Sequence, residues 1–329
     1  MAKVVRFYQH GGPEVLRVED TEVAPPATGE VQIRVQALGL NRAEALLRAG
    51  TYIETPTFPS GLGLEAAGVV AAVGAGVDGF RAGDAVSIIP PVSMVRQPAY
   101  AELINVPAGR VVSNPASPSA QHAAAVWMQY LTAYGALIDI ARIGRDDVVV
   151  ITAASSSVGL AAIQIANMIG AMTVAVTRTA TKRQALLDAG AAHVVVSDEE
   201  DLAARLATIT QGRGARVVFD PVGGPIFGPL TEAMSRGGIL IEYGGLSREP
   251  TPFPLPAVLS KTLTLRGYLV HELIDDPERL GAAKEFILDG LADGALRPVI
   301  ARTFTLDRIV DAHRYLEGNE QFGKIVVTI

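Results

Sequence analysis

Val148-Val149-Val150-Ile151 is a run of four apolar residues leading through Thr152 into the small-residue stretch Ala153-Ala154-Ser155-Ser156-Ser157-Val158-Gly159, then into a helical segment reaching about Gly170. A strand that is apolar on both faces needs cover on both, the condition of a parallel sheet flanked by helices. The alternation repeats. Thr173-Val174-Ala175-Val176 is followed by a helical stretch through Ala189, and His193 to Val196, Arg216 to Phe219 and Ile239 to Tyr243 are further short strand-like runs. One more helix–strand unit follows Pro250-Thr251-Pro252-Phe253-Pro254-Leu255-Pro256 and ends near Gly267. This pattern predicts an α/β, doubly wound parallel-sheet (Rossmann) domain over 125–266.

The chain before about residue 120 reads differently. Val31-Gln32-Ile33-Arg34-Val35-Gln36-Ala37 alternates apolar and polar residues, and Gly11-Gly12-Pro13, Pro25-Pro26, Thr28-Gly29-Glu30 and Arg81-Ala82-Gly83-Asp84 are turn signals. Short strands with frequent turns predict a β-rich, barrel-like unit. From Ser119 through Ile140 the chain is Ala-rich and helical in character. The tail offers helices around Pro277 to Gly290 and Leu306 to Leu316 and a last strand from Lys324 to Ile329. It is expected to return to the first domain. The predicted organisation is a β-rich domain over 1–124 and 267–329, with the doubly wound domain inserted into it.

Composition narrows the chemistry. Of 329 residues 49% are apolar, so the chain can fill two cores; the net charge of −6 argues against a broad nucleic-acid-binding surface. With no cysteine there is no disulfide, no thiolate zinc site and no cysteine nucleophile. The start of the chain has no signal-peptide pattern, and Leu160 to Ile169, interrupted by Gln164 and Asn167, is too short and polar to span a bilayer. A cytoplasmic protein without membrane or nucleic-acid partners is expected.

A dinucleotide needs a tight turn, close backbone approach to the pyrophosphate, and helix N–H groups pointing at it. Ser155, Ser156, Ser157 and Val158 with Gly159 supply small residues at such a turn. The turn alone fits two readings, a plain helix cap or a cofactor site; the surrounding strand–helix alternation favours the second. At the end of the next strand, Val176-Thr177-Arg178-Thr179-Ala180-Thr181-Lys182-Arg183 has three cations and no carboxylate. An acidic residue there would suit a ribose 2′-hydroxyl, whereas Arg178 and Lys182 suit a 2′-phosphate, so NADPH is the expected cofactor.

The whole chain resembles the medium-chain dehydrogenase/reductase superfamily, specifically its zinc-free, zeta-crystallin-like quinone oxidoreductase branch. The resemblance rests on Gly39-Leu40-Asn41-Arg42-Ala43-Glu44, Arg48-Ala49-Gly50-Thr51-Tyr52, Pro59-Ser60-Gly61-Leu62-Gly63-Leu64-Glu65-Ala66-Ala67-Gly68-Val69-Val70, Gly83-Asp84-Ala85-Val86, Leu131-Thr132-Ala133-Tyr134, Asp220-Pro221-Val222-Gly223-Gly224 and Gly323-Lys324-Ile325-Val326-Val327. It implies a GroES-like β-rich domain, a homodimer, and cofactor contacts from Thr132, Thr177, Val222, Gly244, Tyr268 and Lys324 beside the Ser155–Val158 turn. Lys182 sits where NADPH-using relatives place a cation. Family members commonly have glycine where this chain has Ser156 and often at Ser157, which leaves the individual pyrophosphate contacts open.

Zinc members of the superfamily carry a cysteine near Asn41 and a histidine just before Glu65; here that position is Leu64 and cysteine is absent. The five histidines, His10, His122, His193, His271 and His313, have no metal-ligand spacing. No metal is expected, and Glu65 is read as structural, held by Arg or backbone donors. The implied activity is zinc-independent, NADPH-dependent hydride transfer to a quinone or similar small apolar carbonyl compound. Reduction of the C=C bond of an alkenal, enone or enoyl thioester needs the same parts, and a low-turnover NADPH-binding sensor or structural protein is the reading from another class. Without a metal, an oxyanion needs hydrogen-bond donors. Tyr52 matches a proposed proton donor of related enoyl thioester reductases, and Asn41 would orient substrate or the nicotinamide ribose. The alternatives are that Tyr52 packs on a neighbouring loop and that Asn41 is a left-handed turn residue. Trp127, Met128, Tyr130 and Tyr134 are either a pocket wall or helix packing.

Overall fold

Val149, Val150 and Ile151 are fully enclosed. Their strand, Val148–Ile151, lies inside a sheet of six parallel strands among the described residues. The order across the sheet is His193–Val196, Met172–Thr177, Val148–Ile151, Ala215–Asp220, Met234–Glu242 and Thr264–Gly267. All five neighbouring pairs run parallel. Counted along the chain this is the order 3-2-1-4-5-6, and it reverses between Val148–Ile151 and Ala215–Asp220. At such a switch point the loops leaving the strand ends diverge and open a crevice for a ligand. Each enclosed valine or isoleucine of the central strand contributes roughly 1.5–3 kcal/mol by leaving water.

The computed structural model describes residues 1–114 and 119–329. It divides into one unit of Met1–Met128 with Pro298–Ile329 and a second of Gln129–Arg297. The predicted second boundary, at residue 267, falls before two helices that belong to the second unit, the short His271–Ile274 and the longer Pro277–Ala292. Burial of the longer one explains this. Leu280, Ala283 and Ile287 are enclosed, Phe286 packs on Tyr134 at 5.2 Å, and Gly290 lies against Leu296, all within that unit.

In the first unit the ten-residue strand Glu30–Gly39 organises a mixed sheet. One edge pairs with Ala66–Val73; the other pairs first with Leu103–Pro107 and then with Lys324–Thr328. Register shifts between Gln32 and Ile33 and between Val35 and Ala37 bend it as bulges do. Val31, Ile33 and Val35 enter one core, the alternation visible in the sequence; past the second shift Leu38 joins them, whereas Ala37 packs with Ala67 and Ala124 in a separate cluster. The last strand therefore does return to the first unit, and its pairing carries Lys324 to the end of Glu30–Gly39. The stretch from Ser119 to Ile140 resolves into Ala120–Ala123, Trp127–Tyr134 and a π-helical turn, Gly135–Ile140.

Candidate functional site

In the second unit the strand Val148–Ile151 ends in a turn on which Ala153 takes a positive φ of 44°. Ser156 then caps the helix Ser157–Ile169, its Oγ accepting the Gly159 N–H at 3.0 Å. A Cβ on Gly159 would lie 2.6 Å from the Ala154 carbonyl oxygen, so only glycine allows this approach of helix to turn. The residues of the serine run therefore differ in what they do. Ser156 is a cap, whereas the Ser157 and Val158 N–H groups at the first helical turn have no protein acceptor among the described residues. Unpaired amides at the start of a 13-residue helix are anion-binding groups.

The cations of the next strand end divide in the same way. Arg183 is taken by Glu200 at 2.7 Å, and Glu200 also holds Arg205. Arg178 is exposed. Lys182 extends its Nζ to Ser155 Oγ at 3.1 Å, over the turn. Thr177 is buried at the end of Met172–Thr177. Lys182 thus reaches the turn that bears the unpaired amides, Arg178 directly follows the adjoining strand, and the stretch 176–183 carries no carboxylate.

The strand ends across the switch point are tied to the turn by Asp220. This enclosed carboxylate accepts the Thr152 hydroxyl, the Val222 N–H at 3.0 Å and the Gly223 N–H at 2.9 Å. Val222 is therefore a positioned loop residue whose amide is already used. Gly244 follows Tyr243, whose ring stacks on Phe219 at 4.0 Å and whose N–H donates to the Asp220 carbonyl. Thr132 is buried in Trp127–Tyr134. Tyr268 is also buried, its hydroxyl 3.4 Å from the Leu131 carbonyl, so it packs against that helix. Tyr130, bonded to Gln164 Oε1 at 2.7 Å, and Tyr134 serve helix packing.

In the first unit Asn41 is extended (φ −131°, ψ 151°), not left-handed, and begins the helix Arg42–Ala49. Its Oδ1 accepts Lys324 Nζ at 2.7 Å, and its Nδ2 donates to the Gly39 carbonyl at 3.1 Å and to Glu44 Oε1 at 3.3 Å. The amide is fully engaged. Lys324 also pairs with Glu65 Oε2 at 2.5 Å, with neither side chain exposed, and Glu65 Oε1 accepts the Met128 N–H at 3.2 Å. The Lys324 ammonium is enclosed between Asn41 and Glu65, and Glu65 is held by a lysine and a backbone amide with no arginine among the described residues. Gly39 makes room for the pair, because a Cβ there would fall 2.7 Å from Lys324 Cε and 2.9 Å from Glu65 Oε2.

Glu44 lies beside this group, accepting the Asn41 N–H at 2.7 Å, the Leu64 N–H at 3.0 Å and the Tyr100 hydroxyl. Burial pushes its carboxyl up to about 7 against those donors. His313, buried with its ring edge-on to Tyr100, is driven down to about 3 by burial and by Arg48 and Arg42, so it is neutral. Tyr52 is half-buried against the core. Burial first, then Glu54 and Glu44, push its phenol up to about 12. No residue accepts from or donates to its hydroxyl among those described, leaving a protonated donor unspent.

Residues 157–287 match the family described as zinc-binding dehydrogenase, and residues 27–116 the alcohol dehydrogenase GroES-like domain. Quinone oxidoreductase 1 of Escherichia coli is 34% identical, with 98% of each chain covered. A Salmonella typhimurium quinone oxidoreductase is 32% identical over the same shares. The crystal structure of an E. coli quinone oxidoreductase complexed with NADPH superposes with a TM-score of 0.91 at 32% identity, covering 99% of this chain and 100% of that one. The chain belongs to the quinone oxidoreductase family of the medium-chain dehydrogenases/reductases.

As a member of that family it is an oxidoreductase built from a GroES-like domain and a Rossmann domain. Among the described residues no three His, Asp or Glu side chains are grouped to hold a metal ion, and no helix is long and apolar enough to cross a membrane. Sequence reasoning overlooked the Asp220–Thr152 contact and the buried Glu44–Tyr100–His313 group. The first leaves a partial trace, since Thr152 and Asp220 each directly follow a strand-like run, Val148–Ile151 and Arg216 to Phe219. The second joins residues far apart along the chain, and no spacing signals it.

Proposed function

We infer that the protein is a zinc-independent reductase that takes hydride from NADPH and passes it to a small apolar acceptor, a quinone or a similarly activated carbonyl compound. The observation carrying this reading is the cation arrangement at the end of Met172–Thr177: Arg178 exposed, Lys182 reaching Ser155, Arg183 removed by Glu200. It fits a 2′-phosphate and offers a 2′-hydroxyl no carboxylate. The NADPH complex of the E. coli relative supports it.

Bound NADPH supplies the hydride. Ser157 and Val158 N–H groups would receive the pyrophosphate, with Arg178 and Lys182 on the 2′-phosphate. Hydride addition leaves negative charge on the acceptor's oxygen, and a donor near it lowers the barrier. Tyr52 fills that role, because its hydroxyl is unspent and stays protonated across the physiological range. Asn41, its amide occupied, acts at one remove by fixing the start of Arg42–Ala49, the helix that leads to Tyr52. Metal independence is supported by the absence of cysteine, by Leu64 ahead of Glu65, and by the Lys324 ammonium that neutralises Glu65. A homodimer in the cytoplasm completes the reading, and light scattering at several concentrations checks its assembly state. Steady-state oxidation of NADPH and NADH with quinones, 2-alkenals and saturated alcohols tests the activity; quinone turnover with NADPH preference is expected.

A further inference from the structure

Asp220 and Glu242 are register partners at the last rung of two adjacent parallel strands, Ala215–Asp220 and Met234–Glu242. Their side chains meet where both strands end. Asp220 has three donors: the Thr152 hydroxyl and the Val222 and Gly223 N–H groups. Glu242 has a different environment. Both of its carboxyl oxygens are out of reach of solvent and neither has a well-formed hydrogen bond to a protein donor; the Gly244 N–H faces them. The backbone there is fixed, because the Glu242 carbonyl accepts the Tyr268 N–H at 2.8 Å. On the other side the register partner is Gly267, which has no side chain to offer.

Two enclosed carboxyls in contact cannot both ionise at low cost; one keeps its proton. The donors decide which. Asp220, surrounded by N–H and O–H groups, is suited to the charge. Glu242, with none of good geometry, is suited to the proton, and its O–H directed at Asp220 satisfies an otherwise orphaned group. The titratable groups acting on Glu242 are Asp220 and its chain neighbour Tyr243, which burial keeps neutral; no cation is among them. Burial, then the Asp220 charge, push Glu242 up to about 9.

We propose that Glu242 is a positioning residue: as a neutral acid it donates to Asp220 and so holds Thr152 and the Val222–Gly223 turn in the arrangement the dinucleotide needs. Thr152 immediately precedes the cofactor turn, and Val222 and Gly244 flank the carboxyl pair in the chain, so one shared proton ties together the loops of three strands. The proposal rests on the NADPH reading for its consequence but not for the protonation itself.

The test uses the full chain as wild type, Glu242→Gln and Glu242→Ala. Infrared difference spectra of the ligand-free protein, wild type minus Glu242→Gln, are expected near pH 8 to contain a protonated carboxyl stretch that Glu44, raised only to about 7, does not supply. NADPH dissociation constants are then measured from about pH 6 to about pH 10. Wild type is expected to weaken roughly tenfold over the upper part of that range as the second carboxylate forms, while Glu242→Gln, whose amide still donates to Asp220, stays within about twofold of wild type at pH 7 and lacks that extra loss. Glu242→Ala is expected to bind roughly tenfold more weakly at every pH. A carboxyl signal that is the same in wild type and Glu242→Gln, or a Glu242→Gln profile that weakens as wild type does, overturns the proposal, and neither observation depends on Glu242→Ala folding. Failure of the NADPH reading would look different: no NADPH binding by wild type at any pH, with the carboxyl signal intact.

Discussion

Lys324 Nζ lies 2.5 Å from Glu65 Oε2 and 2.7 Å from Asn41 Oδ1, and neither Lys324 nor Glu65 is exposed. A carboxylate enclosed this way is tolerable only while its partner cation is present. The final strand, by pairing with Glu30–Gly39, thereby locks the residue that begins the Tyr52-bearing segment. Lys324→Met is expected to cost about 3–5 kcal/mol of unfolding free energy, and Lys324→Met combined with Glu65→Gln to recover to within about 1–2 kcal/mol of wild type. Denaturant titrations check this; equal instability of single and double variants would mean that packing, not charge, is at stake.

Arg178→Ala with Lys182→Ala is expected to weaken NADPH roughly a hundredfold and NADH less than about threefold, since each charge-assisted contact to the 2′-phosphate contributes about 1.5–3 kcal/mol. Arg183→Ala serves as the comparison, because its guanidinium is already committed to Glu200. Isothermal titration with both dinucleotides measures the difference.

Tyr52→Phe is expected to lower kcat roughly tenfold or more while leaving the NADPH dissociation constant unchanged, the range for losing one oxyanion or acid–base donor. With the phenol pushed up to about 12, its loss of a proton should leave no inflection in the kcat profile below about pH 11. Equal kcat in both proteins would reduce Tyr52 to a packing residue.

Glu44 gives the first unit a pH signature. Its carboxyl is raised from 4.5 to about 7 in the folded state, so the native chain holds a proton that the unfolded chain releases. The associated stability is fully present below about pH 4.5 and is lost as pH rises through 7, by on the order of 3 kcal/mol at most. Urea unfolding across that window should show the decline, and Glu44→Gln should show a flatter slope whatever its absolute stability.

The doubly wound sheet was legible because its signal is local: Val148–Ile151 and His193–Val196 are apolar on both faces and end at turn residues. The same locality exposed the serine turn and the three cations. What the sequence could not show was how those groups divide their work. Ser156 and Arg183 look equivalent to Ser157 and Arg178 until Gly159 and Glu200, set by helix and neighbouring strand, take them up. Lys324 and Asn41 both stand in stretches that carry the family resemblance, but a separation of 283 residues hid that they bond to each other. The helix Pro277–Ala292 joined the other unit for a similar reason: its apolar stripe fits either core, and contacts such as Phe286 with Tyr134 decide.

The most direct test of metal-free, NADPH-dependent reduction is the initial rate of NADPH and NADH oxidation against a quinone panel, with and without a strong chelator. Quinone turnover that prefers NADPH and is unchanged by the chelator is the expected result. Turnover abolished by the chelator and restored by zinc, or an equal preference for NADH, would contradict it.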